Sequence, residues 1–366
     1  MTRIGIDTRL HAYAPGGISH YARRLVAELA TMLEPGTLTV IPHRSEQKPT
    51  SIPGVRRHRA WTPPHNRLER WAMGAEIWPL RLDILHSTDF IPPAWGARRF
   101  IITVHDLNFL YYPQYLTGDA RRYYNRQIAW AVAKADAILA DSFATRRDLE
   151  ELLQVPASRV TVTHLAADER FRPLAPEQTE AVLSHYGLEA GYLLFVGTWE
   201  PRKNLPGLLA ALSQLHARGE KRHLVISGRP GWLYDEIFMR VHELQLEPWV
   251  HFLEQPSLND LVALYNGALL LVMPSFYEGF GLPALEAMQC GIPVVAANRA
   301  SLPEVVGQAG LLVDPEDPKS ISAACERLAG DATLRAALRE AGFAQAAAFT
   351  WKAAAQTTLE VYRSVL

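Results

Sequence analysis

The 366 residues exceed a typical single domain, and a composition of 48% apolar and 20% charged residues is that of an ordinary globular chain, so two domains are expected. A formal net charge of −1 argues against bulk electrostatic binding of nucleic acid. Cys290 and Cys325 are far apart and in no metal-ligand spacing, which argues against a disulfide framework or a zinc site and fits a reducing, cytoplasmic setting.

In chain order, strands and helices alternate. Arg3 to Asp7 reads as a first strand, followed by a turn at Pro15, Gly16 and Gly17 and a helix carrying Tyr21, Leu25, Val26 and Leu29 at helical spacing. Thr37 to Ile41 is a short strand and Ile84 to His86 a weak one. Phe100 to Val104 is strongly β-branched and ends at His105-Asp106. Ala137 to Ala140 and Val160 to Val162 are further strands, with a helix from Thr145 to Leu153 between them. The proline-bearing segment Phe171 to Pro176 reads as a linker, after which the rhythm restarts. Strands are expected at Tyr192 to Val196, His223 to Ser227, Val250 to Leu253, Leu269 to Met273, Val294 to Ala296 and Gly310 to Val313. A helix is expected from Leu205 to His216, and a last one from Lys352 to Leu366. The pattern is α/β: two doubly wound, Rossmann-like domains, 1–172 and 177–349, with the cleft between them as the expected active site.

The first half of the chain is net basic and the second net acidic. Residues 51 to 81 concentrate arginine and tryptophan: Arg56, Arg57, Arg59, Trp61, Arg67, Arg70, Trp71, Trp78 and Arg81. Such a mixture suits a solvated surface with its indoles in the core, an acceptor groove, or a peripheral contact with an anionic membrane surface. No apolar run reaches the roughly 18 residues needed to span a bilayer, and the N-terminal decapeptide M-T-R-I-G-I-D-T-R-L has no long apolar stretch of a secretory leader.

One stretch carries distinctive chemistry. Glu278 to Glu286, E-G-F-G-L-P-A-L-E, leaves an apolar strand and enters a helix. Pro283 suits the first helical position and Gly291 the helix C-terminus. Gly279 and Gly281 leave backbone N–H groups uncovered, while Glu278 and Glu286 are acceptors suited to hydroxyl groups. Neutral donors and anionic acceptors on one rim match a polyhydroxyl ligand such as a sugar and a ribose. The plainer reading is that Glu286 complements the helix dipole and the glycines only turn the chain.

This stretch resembles the E-x7-E signature of the retaining glycosyltransferases of family 4, which have the GT-B fold. The resemblance covers nearly the whole chain. G-I-D-T-R-L with P-G-G-I-S-H-Y-A-R-R-L is similar to that family's N-terminus, V-G-T-W-E-P-R-K-N-L (Val196 to Leu205) to its phosphate loop, and P-V-V-A-A-N-R-A-S-L-P-E onward from Pro293 to the block after E-x7-E. The resemblance implies that Arg202 and Lys203 hold the donor diphosphate, aided by the helix start at Gly16 and Gly17. It implies that Glu286 accepts from the ribose hydroxyls, and that Glu278 with the backbone of Gly279, Phe280, Gly281 and Leu282 holds the transferred sugar. His105 would position the donor sugar by its ring or main chain, and Asp106 would orient His105 or meet the acceptor. The final helix, 350–366, would cross back onto the first domain.

No D-x-D occurs in the chain, so metal-independent chemistry is expected, with no cofactor beyond the donor. The resemblance implies transfer with retention, by front-face attack in which the departing phosphate takes the acceptor's proton. The form G-T-x-E-P-R-K-N resembles branches that build bacterial surface polysaccharides, which favours GDP-mannose as donor, with UDP- and dTDP-sugars open. The implied acceptor is a glycan or a polyprenyl-linked oligosaccharide. A sugar-nucleotide epimerase or hydrolase on the same fold, or a non-catalytic sugar-nucleotide-binding subunit, are the alternatives.

Overall fold

The computed structural model describes residues 2–12, 16–46, 51–115, 118–232 and 234–366. Of the expected turn after the first strand, Pro15 lies outside these residues. The chain forms two compact units, Met1–Leu165 with Thr350–Leu366, and Ala166–Phe349.

The first unit holds a seven-stranded parallel sheet in the order β3-β2-β1-β4-β5-β6-β7. Its strands are β1 (Ile4–Asp7), β2 (Leu38–Ile41), β3 (Arg56–Arg57), β4 (Leu82–Ser87), β5 (Ala97–Val104), β6 (Ala137–Ala140) and β7 (Val160–Val162). The second holds six parallel strands in the order β10-β9-β8-β11-β12-β13: β8 (Tyr192–Val196), β9 (Leu224–Gly228), β10 (Val250–Glu254), β11 (Ala268–Met273), β12 (Val294–Ala297) and β13 (Gly310–Val313). Both orders reverse at the first strand of the unit, the doubly wound arrangement in which ligands meet the carboxyl ends of the strands. Strands such as Y-L-L-F-V and A-L-L-L-V-M are apolar on both faces because helices cover both faces of a parallel sheet.

The expected strands all form, with ends shifted by at most three residues. Two differences have clear causes. The weak strand at Ile84 to His86 is in fact six residues, L-D-I-L-H-S, lying between β1 and β5. Its polar His86 is fully buried because Nδ1 bonds Tyr362 Oη and Nε2 bonds Thr103 Oγ1, each at 2.7 Å. Tyr21 Oη joins the same Thr103 at 3.0 Å. The expected linker at Phe171 to Pro176 belongs to the second unit, which begins at Ala166. Asn266 Oδ1 accepts from Leu174 N, its Nδ2 donates to Arg172 O, and Phe171 packs edge-on to Tyr265.

The last helix, Trp351–Ser364, lies in the first unit. Thr350 caps it, its hydroxyl accepting from Ala353 N. It buries Trp351 beside His20 and Tyr21, and Tyr362 against His86. Burial holds the His86 ring well below its ordinary 6.5, at about 3, so it stays neutral and each nitrogen needs a partner. Tyr362→Phe removes one partner and keeps the ring, so it should cost the first unit about 1–3 kcal/mol. Urea unfolding followed by a probe in that unit measures this, and an unchanged midpoint would show that the bond contributes nothing.

Candidate active site

The second unit builds its polar centre where β8 and its neighbour β11 end. The two strands pair at Leu194 and Leu271, so the loops after them emerge side by side. After β8 comes a single 3₁₀ turn, Pro201–Lys203. Asn204 follows with φ of 56°, a left-handed conformation that asparagine tolerates better than most residues. Its Oδ1 caps the helix Leu205–Ala217 by accepting from Gly207 N, and its Nδ2 donates to Pro274 O and Pro315 O at 3.1 and 2.7 Å. Asn204 thereby ties the basic turn to the segments that leave β11 and β13. Arg202 O also accepts from Phe276 N.

After β11 the chain runs through Ser275 to Gly281 into the helix Leu282–Gln289. Gly281 has φ of 104°, which favours glycine, and a Cβ there would lie 2.7 Å from the end of the Leu302 side chain. Leu282 rather than Pro283 takes the first helical position, and Gly291, with φ of 76°, lies just beyond the C-terminal cap Cys290. Ser301 Oγ fixes the loop by hydrogen bonding to Glu278 O and Phe280 O, both at 2.8 Å.

Glu278 is only 7% exposed, and cations meet it on both oxygens. Lys203 Nζ donates to Oε1 at 2.6 Å, Ser275 Oγ donates to the same oxygen at 2.7 Å, and Arg202 reaches Oε2 at 3.2 Å. Arg202 also donates to Tyr277 O and pairs with Glu200 at 2.5 Å. Burial alone would push the Glu278 carboxyl up, but the Lys203 and Arg202 charges overturn it and hold the group at about 2. Burial, and then Arg202, pull Lys203 below its ordinary 10.5, and Glu278 opposes both. The expected hydroxyl acceptor is therefore, in this state, the counter-ion of the expected diphosphate-binding pair.

Glu286 sits one turn into the same helix. Tyr265 Oη donates to its Oε2 at 2.7 Å. Burial raises its carboxyl to about 7; the tyrosine bond opposes this and Asp168 adds to it. Hydrogen bonds donated by hydroxyl groups would favour its ionised form.

In the first unit, Val104 pairs with Ala140 across β5 and β6, so the next residues, His105 and Asp141, leave adjacent strand tips. His105 Nδ1 lies 2.7 Å from Asp141 Oδ2 and Nε2 lies 2.8 Å from Thr88 O. Tyr21 packs edge-on to the ring at 5.1 Å. A carbonyl can only accept, so Nε2 carries a proton. Burial lowers the ring's basicity, yet the Asp141 charge and both hydrogen bonds raise it to about 9, making it an imidazolium at neutral pH. Asp106 does not orient the ring. Its Oδ1 accepts from Asn108 N and Nδ2 at 3.1 and 2.8 Å, turning the chain into the short helix Asn108–Tyr111. Gly16 and Gly17 open the helix Gly17–Met32, and a Cβ on either would meet open space.

Sequence reasoning passed over five supporting residues: Asn204, Ser275, Ser301, Tyr265 and Asp141. Asn204 and Ser301 lie inside the quoted motifs and Ser275 lies three residues before Glu278; only Asn204, beside Lys203, carried a signal of its own. Asp141 meets His105 through strand pairing and Tyr265 meets Glu286 between two helices, so no spacing pointed to them.

Two family profiles match the chain: Glycosyltransferase Family 4 over residues 15–171, and Glycosyl transferases group 1 over 187–345. The O-antigen chain mannosyltransferase B of Escherichia coli is 38% identical over 301 residues, spanning 82% of this chain and 78% of that protein. The chain belongs to glycosyltransferase family 4. This family 4 glycosyltransferase shares its GT-B fold with sucrose-phosphate synthase from Thermosynechococcus elongatus (TM-score 0.80, 21% identity, 100% and 99% of the two chains). It likewise matches Anabaena HepE in complex with UDP-glucose (TM-score 0.79, 17% identity, 100% of both chains).

Two histidines of the first unit with large, opposite shifts give its stability opposite pH dependences. His105, raised to about 9, contributes stability that is complete below its unfolded value of 6.5 and is lost as pH rises through 9. His86, lowered to about 3, makes stability fall as pH drops below 6.5. Urea midpoints should therefore peak near pH 6.5, and Asp141→Asn should flatten the alkaline fall. A wild-type midpoint that does not change between pH 6.5 and 9 would contradict a charged His105.

Proposed function

We propose that this glycosyltransferase moves a mannosyl group from GDP-mannose to a hydroxyl of a glycan or polyprenyl-linked oligosaccharide in surface polysaccharide synthesis, with retention and without a metal. It would act in the cytoplasm, where such donors are made. The observation that carries the donor site is the Arg202–Lys203 turn clamped by Asn204 beside the Gly281 helix start. A departing nucleoside diphosphate gains negative charge, and a fixed guanidinium and ammonium stabilise it without a divalent ion. Lys203 has three N–H donors, of which Glu278 takes one, so the ammonium can serve phosphate and carboxylate together. Glu278, relieved of part of its pairing, then accepts from the sugar hydroxyls, with the amides of Gly279, Phe280, Gly281 and Leu282 beside it. Glu286 takes the ribose. The helix start at Gly16 and Gly17 would add amide donors to the phosphates.

For the sugar, the support is the 38% identity to a protein named as an O-antigen chain mannosyltransferase. His105 acts as a cationic post that fixes the β5 tip and its main chain; with both ring nitrogens engaged, it is not a general base. Its contribution is to place the donor sugar, while the leaving phosphate takes the acceptor's proton.

Calorimetric titration of GDP, UDP and dTDP without metal tests the donor site. GDP should bind at least about tenfold tighter than the others, and Arg202→Ala, by removing a charge-assisted contact of about 1.5–3 kcal/mol, should weaken it by about ten- to a hundredfold. Affinity should rise as pH passes upward through about 7, where Glu286 ionises, and Glu286→Gln should remove that dependence. Preference for UDP would overturn the mannosyl donor but keep the site. Binding unaltered in Arg202→Ala would overturn the site itself.

A further inference from the structure

The helix Glu69–Ile77 in the first unit is apolar on two opposite faces. One face buries Met73 and Ile77 in the core, beside the buried Gly74. The other presents Leu68, Trp71, Ala75 and Trp78, spaced i, i+3, i+7 and i+10, so that they form one stripe. Leu68, Trp71 and Trp78 are 68%, 65% and 64% exposed, where a soluble helix would carry charge. Trp95 extends the stripe by packing on Trp78, with centroids 5.6 Å apart. Trp61, 66% exposed, is tied to the helix through its own N–H, which donates to Glu76 at 2.7 Å.

The exposed fixed charges of this segment have one sign. Every exposed side chain of fixed charge between residues 51 and 99 is an arginine: Arg56, Arg59, Arg67, Arg81, Arg98 and Arg99. Arg67 and Arg81 bracket the stripe at its two ends. Both acids of the helix are turned inward. Glu69 is buried against Arg9 at 2.6 Å and accepts from His65 N, and Glu76 is taken up by the backbone of Trp61 and Thr62. Asp83 and Asp89 are half-buried and paired with Arg98 and His65. Folding has consumed the acids of this segment and left six arginines and the indoles of Trp61, Trp71 and Trp78 outside.

We infer that the Leu68–Trp71–Ala75–Trp78 stripe is a docking surface for an anionic phospholipid layer. Indoles reside at the boundary between headgroups and acyl chains because one edge is polar and the body apolar. Arginines snorkel from there to lipid phosphates, and each basic residue near an anionic surface adds attraction. A protein partner is the competing occupant, and the arginines at both ends of the stripe favour a continuous anionic surface. Nucleic acid would recruit the arginines but not the leucine–alanine–tryptophan ridge. The docked helix would lie in the plane of the surface, without crossing it; among the described residues no helix is long and apolar enough to cross. This surface is independent of the proposed donor site.

Flotation of the full chain with phosphatidylglycerol vesicles, against phosphatidylcholine vesicles, tests it. The wild type should float with the anionic vesicles only, with a blue shift of tryptophan emission, and high salt should weaken the binding. Trp71→Ser with Trp78→Ser should cut partitioning by about tenfold or more, because the membrane-facing area is lost. Arg67→Ser with Arg81→Ser should reduce the preference for anionic lipid. All four side chains are solvent-exposed or chain-end positions of the helix, and unchanged thermal unfolding of the variants confirms that the fold is intact. Absence of wild-type flotation at low salt, or equal flotation by the tryptophan variant, would overturn the inference. So would a dimer in sedimentation that the tryptophan variant disperses, since a second copy would then cover the stripe.

Discussion

A carboxylate buried among cations organises the second unit. Glu278 could not be ionised at 7% exposure on its own, and Lys203 could not keep its charge there alone. Each makes the other tolerable, and Arg202, Ser275 and Glu200 complete the set. Such a cluster is weak as a source of net stability, because desolvation offsets much of the attraction. Its value is positional. It stores two adjacent positive charges at the ends of β8 and β11 in a form the fold accepts, oriented before any ligand arrives. An anionic ligand, if bound as proposed, would meet charges whose desolvation and ordering have already been met during folding.

The first unit uses the same device with the sign reversed. His105 is a cation held by Asp141 and a carbonyl, while its neighbour in the polar network, His86, is kept neutral by burial. Two histidines in one sheet thus take opposite states because one faces a carboxylate and the other faces hydroxyls. The last helix enters this network through Tyr362. Its contribution to the unit is therefore a specific bond to the centre of the sheet as well as apolar burial.

Much of this was legible in the sequence. Alternating strands and helices, the strand-tip positions of Arg202, Lys203, Glu278 and His105, and the glycine at position 281 all followed from local pattern, because parallel-sheet strands are short apolar runs and their tips carry the turns. What the sequence hid depends on strand register. Lys203 and Glu278 are 75 residues apart, and only the pairing of β8 with β11 shows that the two basic side chains after β8 and the carboxylate after β11 are one ion cluster. Asp106 looked like the partner of His105 because it is adjacent in sequence; Asp141 is the partner because β5 and β6 are adjacent in space. The two-residue β3, R-R, gave no strand signal, since an edge strand needs no apolar face. The tryptophans at 61, 71 and 78 were ambiguous in the sequence, and their exposure decides between core and surface.

The most direct test of the central claim is a double-mutant cycle on unfolding free energy with Lys203→Met, Glu278→Gln and the combination. If the buried charges compensate one another, each single variant should lose about 3–5 kcal/mol by stranding a charge, and the double variant should lose clearly less than the sum. Additive losses would mean that Lys203 and Glu278 do not depend on each other, and that the cluster is not what holds the two basic side chains in place.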